Sequence, residues 1–234
     1  MFGRRKKERG RLNSPGLSVV VPAVLDADAA LYNPLCDIPL IAQNLLRLNR
    51  IPLVDEIILV VREAELLRMA QICKNFSVHR VRKVVCAKEG GIHALTVGIY
   101  ECERESDYVA IHDPLCPFVS GAVWAQTFSA AIKHGAAAPA VPVKDTIKLV
   151  EDGVICETPD RAALQAVQSP LIAESSLLKA ALAQARDQET DSADVLEILE
   201  QFGVPLRLVE GTEENIRIGS PADLLAAEAV LGWT

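Results

Sequence analysis

The sequence predicts an α/β domain with a mostly parallel sheet and one projecting β-hairpin arm. Three observations predict it. Short apolar runs rich in Val and Ile alternate with helical patterns along the chain. Those runs lack strict polar alternation, as expected of strands covered on both faces. One polar stretch then breaks the rhythm with an Asp152-Gly153 turn between β-prone runs, which is a hairpin signal.

The elements follow in order. Strands are expected at Leu17–Pro22, Glu56–Val61, Val81–Cys86, Tyr108–Ile111, Ala138–Val143 and Leu206–Val209. Helices are expected at Ile38–Asn49, Glu63–Lys74, Ile92–Glu103, Val119–His134, Ser175–Arg186 and Asp191–Gln201, where apolar residues recur three or four apart. A last helix starts at Ser220-Pro221-Ala222-Asp223. Ser220 caps it, Pro221 suits its first position and Asp223 favours its positive end. Strand–helix alternation of this kind needs crossover connections and hence a parallel sheet. The hairpin, about residues 143–168, reads as a dimerisation arm. The domain organisation is a basic tail over 1–16 and a single domain over 17–234.

Composition narrows the function classes. The chain has 234 residues, half of them apolar, which excludes a disordered chain. No run reaches the ~18 apolar residues of a membrane span. Residues 1–11 carry a net charge of +5 and the remainder −12, a poor balance for nucleic-acid binding. The basic start followed by apolar Leu17–Leu25 imitates an export signal, but the run is short and contains Pro22, and it reads better as a first buried strand. Six cysteines without a Cys-x-x-Cys pair exclude a zinc ribbon and a dithiol motif, and are expected to be reduced core thiols of a cytoplasmic protein.

In open parallel sheets, ligands sit beyond the carboxyl ends of the strands. Those ends carry Pro22-Ala23, His112-Asp113-Pro114 and Lys144-Asp145-Thr146, and Arg217 follows late in the chain. An Asp at such a position can hold Mg²⁺ or a sugar hydroxyl. Lys144, Arg161 and Arg217 are candidates to face a phosphate. His112 reads as a packed, hydrogen-bonded histidine rather than a base, and His93 as a solvent-facing residue on a helix.

In order and spacing these pieces resemble the 2-C-methyl-D-erythritol 4-phosphate cytidylyltransferase family. The resemblance rests on Ser18-Val19-Val20-Val21-Pro22-Ala23, Glu89-Gly90-Gly91, His112-Asp113 with Pro117, and Pro142-Val143-Lys144-Asp145-Thr146-Ile147-Lys148. It continues in Gln168-Ser169-Pro170, Thr190-Asp191, and Asn215-Ile216-Arg217 with Ser220-Pro221-Ala222-Asp223-Leu224. It implies a Rossmann-like nucleotidyltransferase domain of the nucleotide-diphospho-sugar transferase type, an arm that joins two subunits into a homodimer, and Mg²⁺ as cofactor. The implied reaction joins CTP and methylerythritol phosphate and releases pyrophosphate, a step of isoprenoid biosynthesis.

Residue by residue, the resemblance is uneven. It gives Asp113 and Arg217 to the reacting phosphates, with Asp113 also the metal ligand. It gives Asp145, Thr146, Arg161, Ser169 and Thr190 to methylerythritol phosphate. It gives Pro22, Ala23, Gly91, His93 and Thr96 to the nucleotide. Ser169 stands where the family has Thr, and Arg217 where it has Lys. On the nucleotide side the family's glycine-rich, basic loop is missing. Leu17–Glu89 contains no glycine, and Leu17–Leu46 contains no Lys or Arg but three Asp: Asp26, Asp28 and Asp37. Cys116 and His93 replace two family arginines. A triphosphate loop needs close backbone N–H groups and cations, so impaired or lost cytidylyl transfer is expected. The other readings are a non-catalytic partner or regulatory subunit, and a transferase for another nucleotide or sugar phosphate.

Overall fold

Seven residues, β1 (Leu17–Ala23), set the architecture. Leu17, Val19, Val21 and Ala23 enter one apolar cluster and Val20 enters a second. A strand with two apolar faces must lie inside a sheet covered on both sides. The computed structural model describes residues 15–25, 28–103, 106–188 and 194–232.

The sheet is parallel where the sequence is most apolar. β1 pairs in parallel with β4 (Glu56–Val61) and β6 (Tyr108–Ile111), and β4 with β5 (Val81–Cys86). The far half is mixed. β7 (Ala136–Pro142) runs parallel to β12 (Leu206–Glu210). β11 (Leu171–Glu174) is antiparallel to both β6 and β7, and β10 (Gln165–Val167) is antiparallel to β7. The order is β10-β7-β11-β6-β1-β4-β5, with β12 joined to β7. The strands β10 and β11 escaped the sequence reading because each spans only three or four residues, too few for a period to show.

Helices cover both faces. α1 (Leu40–Arg50), α2 (Leu66–Asn75), α4 (Gly121–His134) and α7 (Pro221–Gly232) bury residues in the cluster that holds Val19. α3 (Gly91–Glu101), α5 (Ser175–Asp187) and α6 (Val195–Gln201) bury theirs with Val20. The buried stripe of α1 is Leu40, Ile41, Leu45 and Leu48, and Asn44 lies within it. No helix among the described residues is long and apolar enough to cross a membrane.

After β1 the chain makes a short 3-10 turn at Asp28–Tyr32 and a small ladder of β2 (Pro34–Leu35) with β3 (Ile38–Pro39). Cys36 and Asp37 take positive φ at its tip, as a type I′ turn requires. The expected arm is a hairpin of β8 (Leu149–Glu151) and β9 (Val154–Glu157), turning at Asp152-Gly153. Its apolar side chains are exposed, Val154 by 66% and Ile155 by 60%. The basic tail over residues 1–14 lies outside the described residues.

The cysteine expectation needs correction. All six thiols are free, but Cys36, Cys86 and Cys156 are exposed and only Cys102 and Cys116 are buried. Cys36 sits in the tight turn, Cys86 at the end of outermost strand β5, and Cys156 on the arm, so an apolar sequence context did not bring burial.

Gly98 shows how closely α3 meets the sheet. A Cβ there would stand 2.8 Å from a methyl of Val60 and closer still to one of Val20. Both neighbours are β-branched and stiff at χ1. Gly98→Ala gains about 1 kcal/mol of helix propensity and loses more to overpacking, typically about 1–3 kcal/mol. We expect a lower urea midpoint for G98A. A midpoint above the parent's would contradict this packing.

Candidate functional site

The carboxyl end of β6 carries His112 and Asp113, the first residues beyond the strand. His112 is buried against Trp124, with ring centres 5.5 Å apart. Its Nδ1 lies 2.8 Å from the Ser169 hydroxyl and its Nε2 lies 3.1 Å from Nδ2 of Asn44. The Asn44 amide also donates to the carbonyls of Asp113 and Pro114, at 3.2 Å each. Burial pushes the His112 pKa down to about 4, against a smaller upward pull from Asp113. The ring is therefore neutral at neutral pH.

Asp113 turns outward. Its Oδ2 accepts from Nε of Arg217 at 2.7 Å and its Oδ1 accepts from the Leu115 N–H at 2.8 Å. Burial works against the Arg217 charge, but the Asp113 bond outweighs it and raises the arginine pKa. The Arg217 side chain stays 58% exposed, so one edge of the guanidinium remains open to an anion.

Ser169 belongs to the link between β10 and β11. Its hydroxyl accepts the Asp113 N–H at 3.0 Å, and its carbonyl accepts from Nδ2 of Asn215 at 2.9 Å. Gln168 locks the neighbouring loop: its Nε2 donates to the Thr212 carbonyl and its Oε1 accepts the Thr212 N–H. Three loops distant in sequence thus meet at Asp113, Ser169 and Arg217.

Beside them lies a cavity of about 350 Å³, lined in part by Pro22, Leu25, Gly91, Asp113, Ser169 and Asp194. No Lys or Arg lines it. The segments 26–27 and 189–193 lie outside the described residues, and neither contains a Lys or Arg. Arg62 reaches the region, but its Nη2 donates to the Leu25 carbonyl at 3.0 Å and holds the chain after β1. Gly91 takes φ +56, which favours glycine, and a Cβ on Gly90 would stand 2.8 Å from the Val24 carbonyl oxygen.

The sequence-predicted residues divide accordingly. Asp113, Arg217 and Ser169 come together, and Pro22 and Gly91 line the adjacent cavity. Ala23 is buried in the core, while His93 and Thr96 do not line the cavity. His93 is exposed, its Nδ1 3.4 Å from the Glu89 carbonyl. Asp145, Thr146 and Arg161 lie on the arm and do not line this cavity. Arg161 donates to the Lys144 carbonyl, and Lys144 pairs with Glu213 at 2.5 Å, which ties the arm to the Arg217 loop. Thr190 lies outside the described residues. Cys116 is buried, and burial raises its thiol pKa, so it supplies no charge there.

Sequence reasoning missed Asn44, and it assigned no role to Gln168 or Asn215. A lone amide inside the apolar stripe of α1 was the available signal for Asn44.

Comparisons with known proteins agree with this geometry. Residues 25–233 match the family described as "IspD: 2-C-methyl-D-erythritol 4-phosphate cytidylyltransferase". The 2-C-methyl-D-erythritol 4-phosphate cytidylyltransferase of Syntrophotalea carbinolica is 36% identical over 202 residues, 86% of this chain and 87% of that protein. The one from Geobacillus kaustophilus is 35% identical over 82% of this chain and 84% of its own length. Among solved structures, 4-diphosphocytidyl-2C-methyl-D-erythritol synthase of Anaerococcus prevotii aligns with a TM-score of 0.83 at 23% identity, covering 93% of this chain and 99% of that one. The Thermus thermophilus cytidylyltransferase aligns at 0.75 and 25% identity, over 92% and 98%. The chain belongs to the 2-C-methyl-D-erythritol 4-phosphate cytidylyltransferase family, and its α/β fold is that of the family's structures.

The buried imidazole predicts a pH dependence. Between an ordinary pKa of 6.5 and the folded value of about 4, the unfolded chain binds the proton and the folded chain does not. Stability therefore falls as pH drops through that window, by up to about 3 kcal/mol from this residue. In urea titrations at neutral pH and near pH 4.5, His112→Gln should lose less stability on acidification than the parent. Equal losses would contradict the assignment.

Proposed function

We propose that this family member keeps the site for methylerythritol phosphate and has lost or severely impaired transfer of the cytidylyl group. One observation carries the reading: among the described residues no Lys or Arg lines the cavity beside Asp113, and segments 26–27 and 189–193 contain none. Each charge-assisted hydrogen bond to a phosphate contributes roughly 1.5–3 kcal/mol. Loss of one cation that meets a phosphoryl-transfer transition state costs on the order of 10³–10⁵ in rate. Asp194 at the cavity wall adds repulsion toward a triphosphate.

On the acceptor side, the open edge of Arg217 faces the sugar phosphate, with Asp113 holding the guanidinium in place. Asp113 accepts from a sugar hydroxyl, and the Ser169 hydroxyl bonds a sugar or phosphate oxygen. The arm residues Asp145, Thr146 and Arg161 complete the site of a second copy in a homodimer, which the exposed apolar arm favours. Thr190 is assigned to the sugar phosphate by family resemblance alone. In the full reaction the sugar phosphate attacks the α-phosphorus of CTP and pyrophosphate leaves, and positioning and charge stabilisation drive it.

No group of three potential metal ligands occurs among the described residues, so no closed protein cage for Mg²⁺ is present. Asp113 accepts one hydrogen bond on each carboxylate oxygen and keeps further lone pairs, so it would hold a Mg²⁺ that enters with the substrate phosphates and neutralises their charge.

A second reading is a non-catalytic partner subunit that pairs with an intact paralogue through the same apolar arm. Free thiols throughout support a reducing, cytoplasmic setting for either reading.

Pyrophosphate release from CTP and methylerythritol phosphate tests the proposal. We expect turnover at least about 10³-fold below that of a relative with the basic loop. Asp113→Asn and Arg217→Ala should each abolish what remains. Turnover equal to that of the relative would overturn the proposal.

A further inference from the structure

Arg217 lies in a stretch, residues 211–220, that is neither helix nor strand. Its place beside Asp113 therefore depends on contacts from outside that stretch. On one side the Ile218 N–H donates to the Leu115 carbonyl at 2.9 Å. On the other side residues 212–215 form a turn, in which the Asn215 N–H donates to the Thr212 carbonyl at 3.2 Å. Two consecutive residues of the β10–β11 link hold this turn. Gln168 Nε2 donates to the Thr212 carbonyl at 2.9 Å, and Gln168 Oε1 accepts the Thr212 N–H at 3.2 Å. Nδ2 of Asn215 donates to the Ser169 carbonyl at 2.9 Å.

The Thr212 backbone fixes which end of the Gln168 amide is oxygen and which is nitrogen. Both ends are engaged there, although Gln168 also lines the cavity. Its contribution at the cavity is therefore placement. Gly211 makes room for the clip. A Cβ there would overlap the Gln168 amide oxygen and stand 3.1 Å from the Ala140 carbonyl oxygen. Arg217 itself is 58% exposed, so its own packing holds it weakly.

We infer that Gln168 and Asn215 are positioning residues that set Arg217 against Ser169 and so fix the spacing of two groups that meet the sugar phosphate. The inference rests on the proposed sugar-phosphate site for the identity of the ligand. Without the clip, the turn drifts while Ile218 stays anchored, and Arg217 spends less time on Asp113. The side-chain bonds run from the β10–β11 link to the loop after β12, so the two parts of the site move together.

Nitrogen-15 spectra of the arginine side chains in the ligand-free chain test the placement. Arg217→Lys removes one Nε–H signal and so identifies it. We expect that proton to exchange slowly in the parent, because it is bonded to Asp113. Gln168→Glu, which turns an oxygen toward the Thr212 carbonyl, should speed its exchange about tenfold. Gly211→Ala should do the same without changing Gln168, and Gln168→Ala serves if the Glu variant does not fold. Calorimetric titration with methylerythritol phosphate tests the consequence. Each variant should weaken binding about tenfold where Arg217 is present and less than about twofold in an Arg217→Ala background. Unchanged Nε–H exchange in the Gln168 and Gly211 variants would overturn the inference. So would an equal loss of affinity in both backgrounds, which would make Gln168 a direct ligand contact or a general support. Parent protein that binds no sugar phosphate would overturn the functional reading instead, and the ligand-free spectra would still decide the placement.

Discussion

One buried imidazole joins the parts of this protein that matter for function. His112 lies just beyond β6, next to the central strand, and its N–H donates to the β1 carbonyl of Val20. Its side chain links α1 through Asn44 and the β10–β11 link through Ser169. Asp113 then projects from a backbone held at both its N–H and its carbonyl. A buried polar group left unpaired is costly, and a network that satisfies it specifies one arrangement. The position of the Asp113–Arg217 pair follows from that constraint.

On the proposed reading the two halves of the site differ in electrostatics. The half proposed for the sugar phosphate holds a paired but accessible guanidinium, open at one edge. In the half proposed for the nucleotide, Gly90 meets the exit of β1 and no Lys or Arg among the described residues lines the cavity. Shape without cations accommodates a neutral group and disfavours a triphosphate. Arg62 illustrates the difference, for it lies near the right place and is used to hold the Leu25 carbonyl. The arm is independent of this loss, since it depends on hairpin chemistry and exposed apolar side chains rather than on phosphate contacts.

Much of this was legible in the residues. Continuous Val and Ile runs mark β1, β4 and β6 because strands buried on both faces tolerate little else. The missing cations between Leu17 and Leu46 are a plain fact of composition. Asp113 stood out by its place beyond a strand end and Arg217 by its charge, whereas Ser169 came through family resemblance alone. Other features were hidden for physical reasons. The antiparallel β10 and β11 are too short to show a period, and their pairing depends on residues far away. Asn44 looks like a blemish on an apolar helix face until its partners, some seventy residues away, are known. Exposure of Cys86 and Cys156 depends on an outermost strand and an arm, which hydropathy alone does not reveal.

The central claim is that one half of the site survives without the other. Separate calorimetric titrations of the intact chain with methylerythritol phosphate and with CTP in the presence of Mg²⁺ test it most directly. The account predicts micromolar binding of the sugar phosphate and no measurable heat from CTP at the same concentrations. Micromolar binding of CTP would contradict it, because that affinity requires cations that the described residues do not place at the cavity.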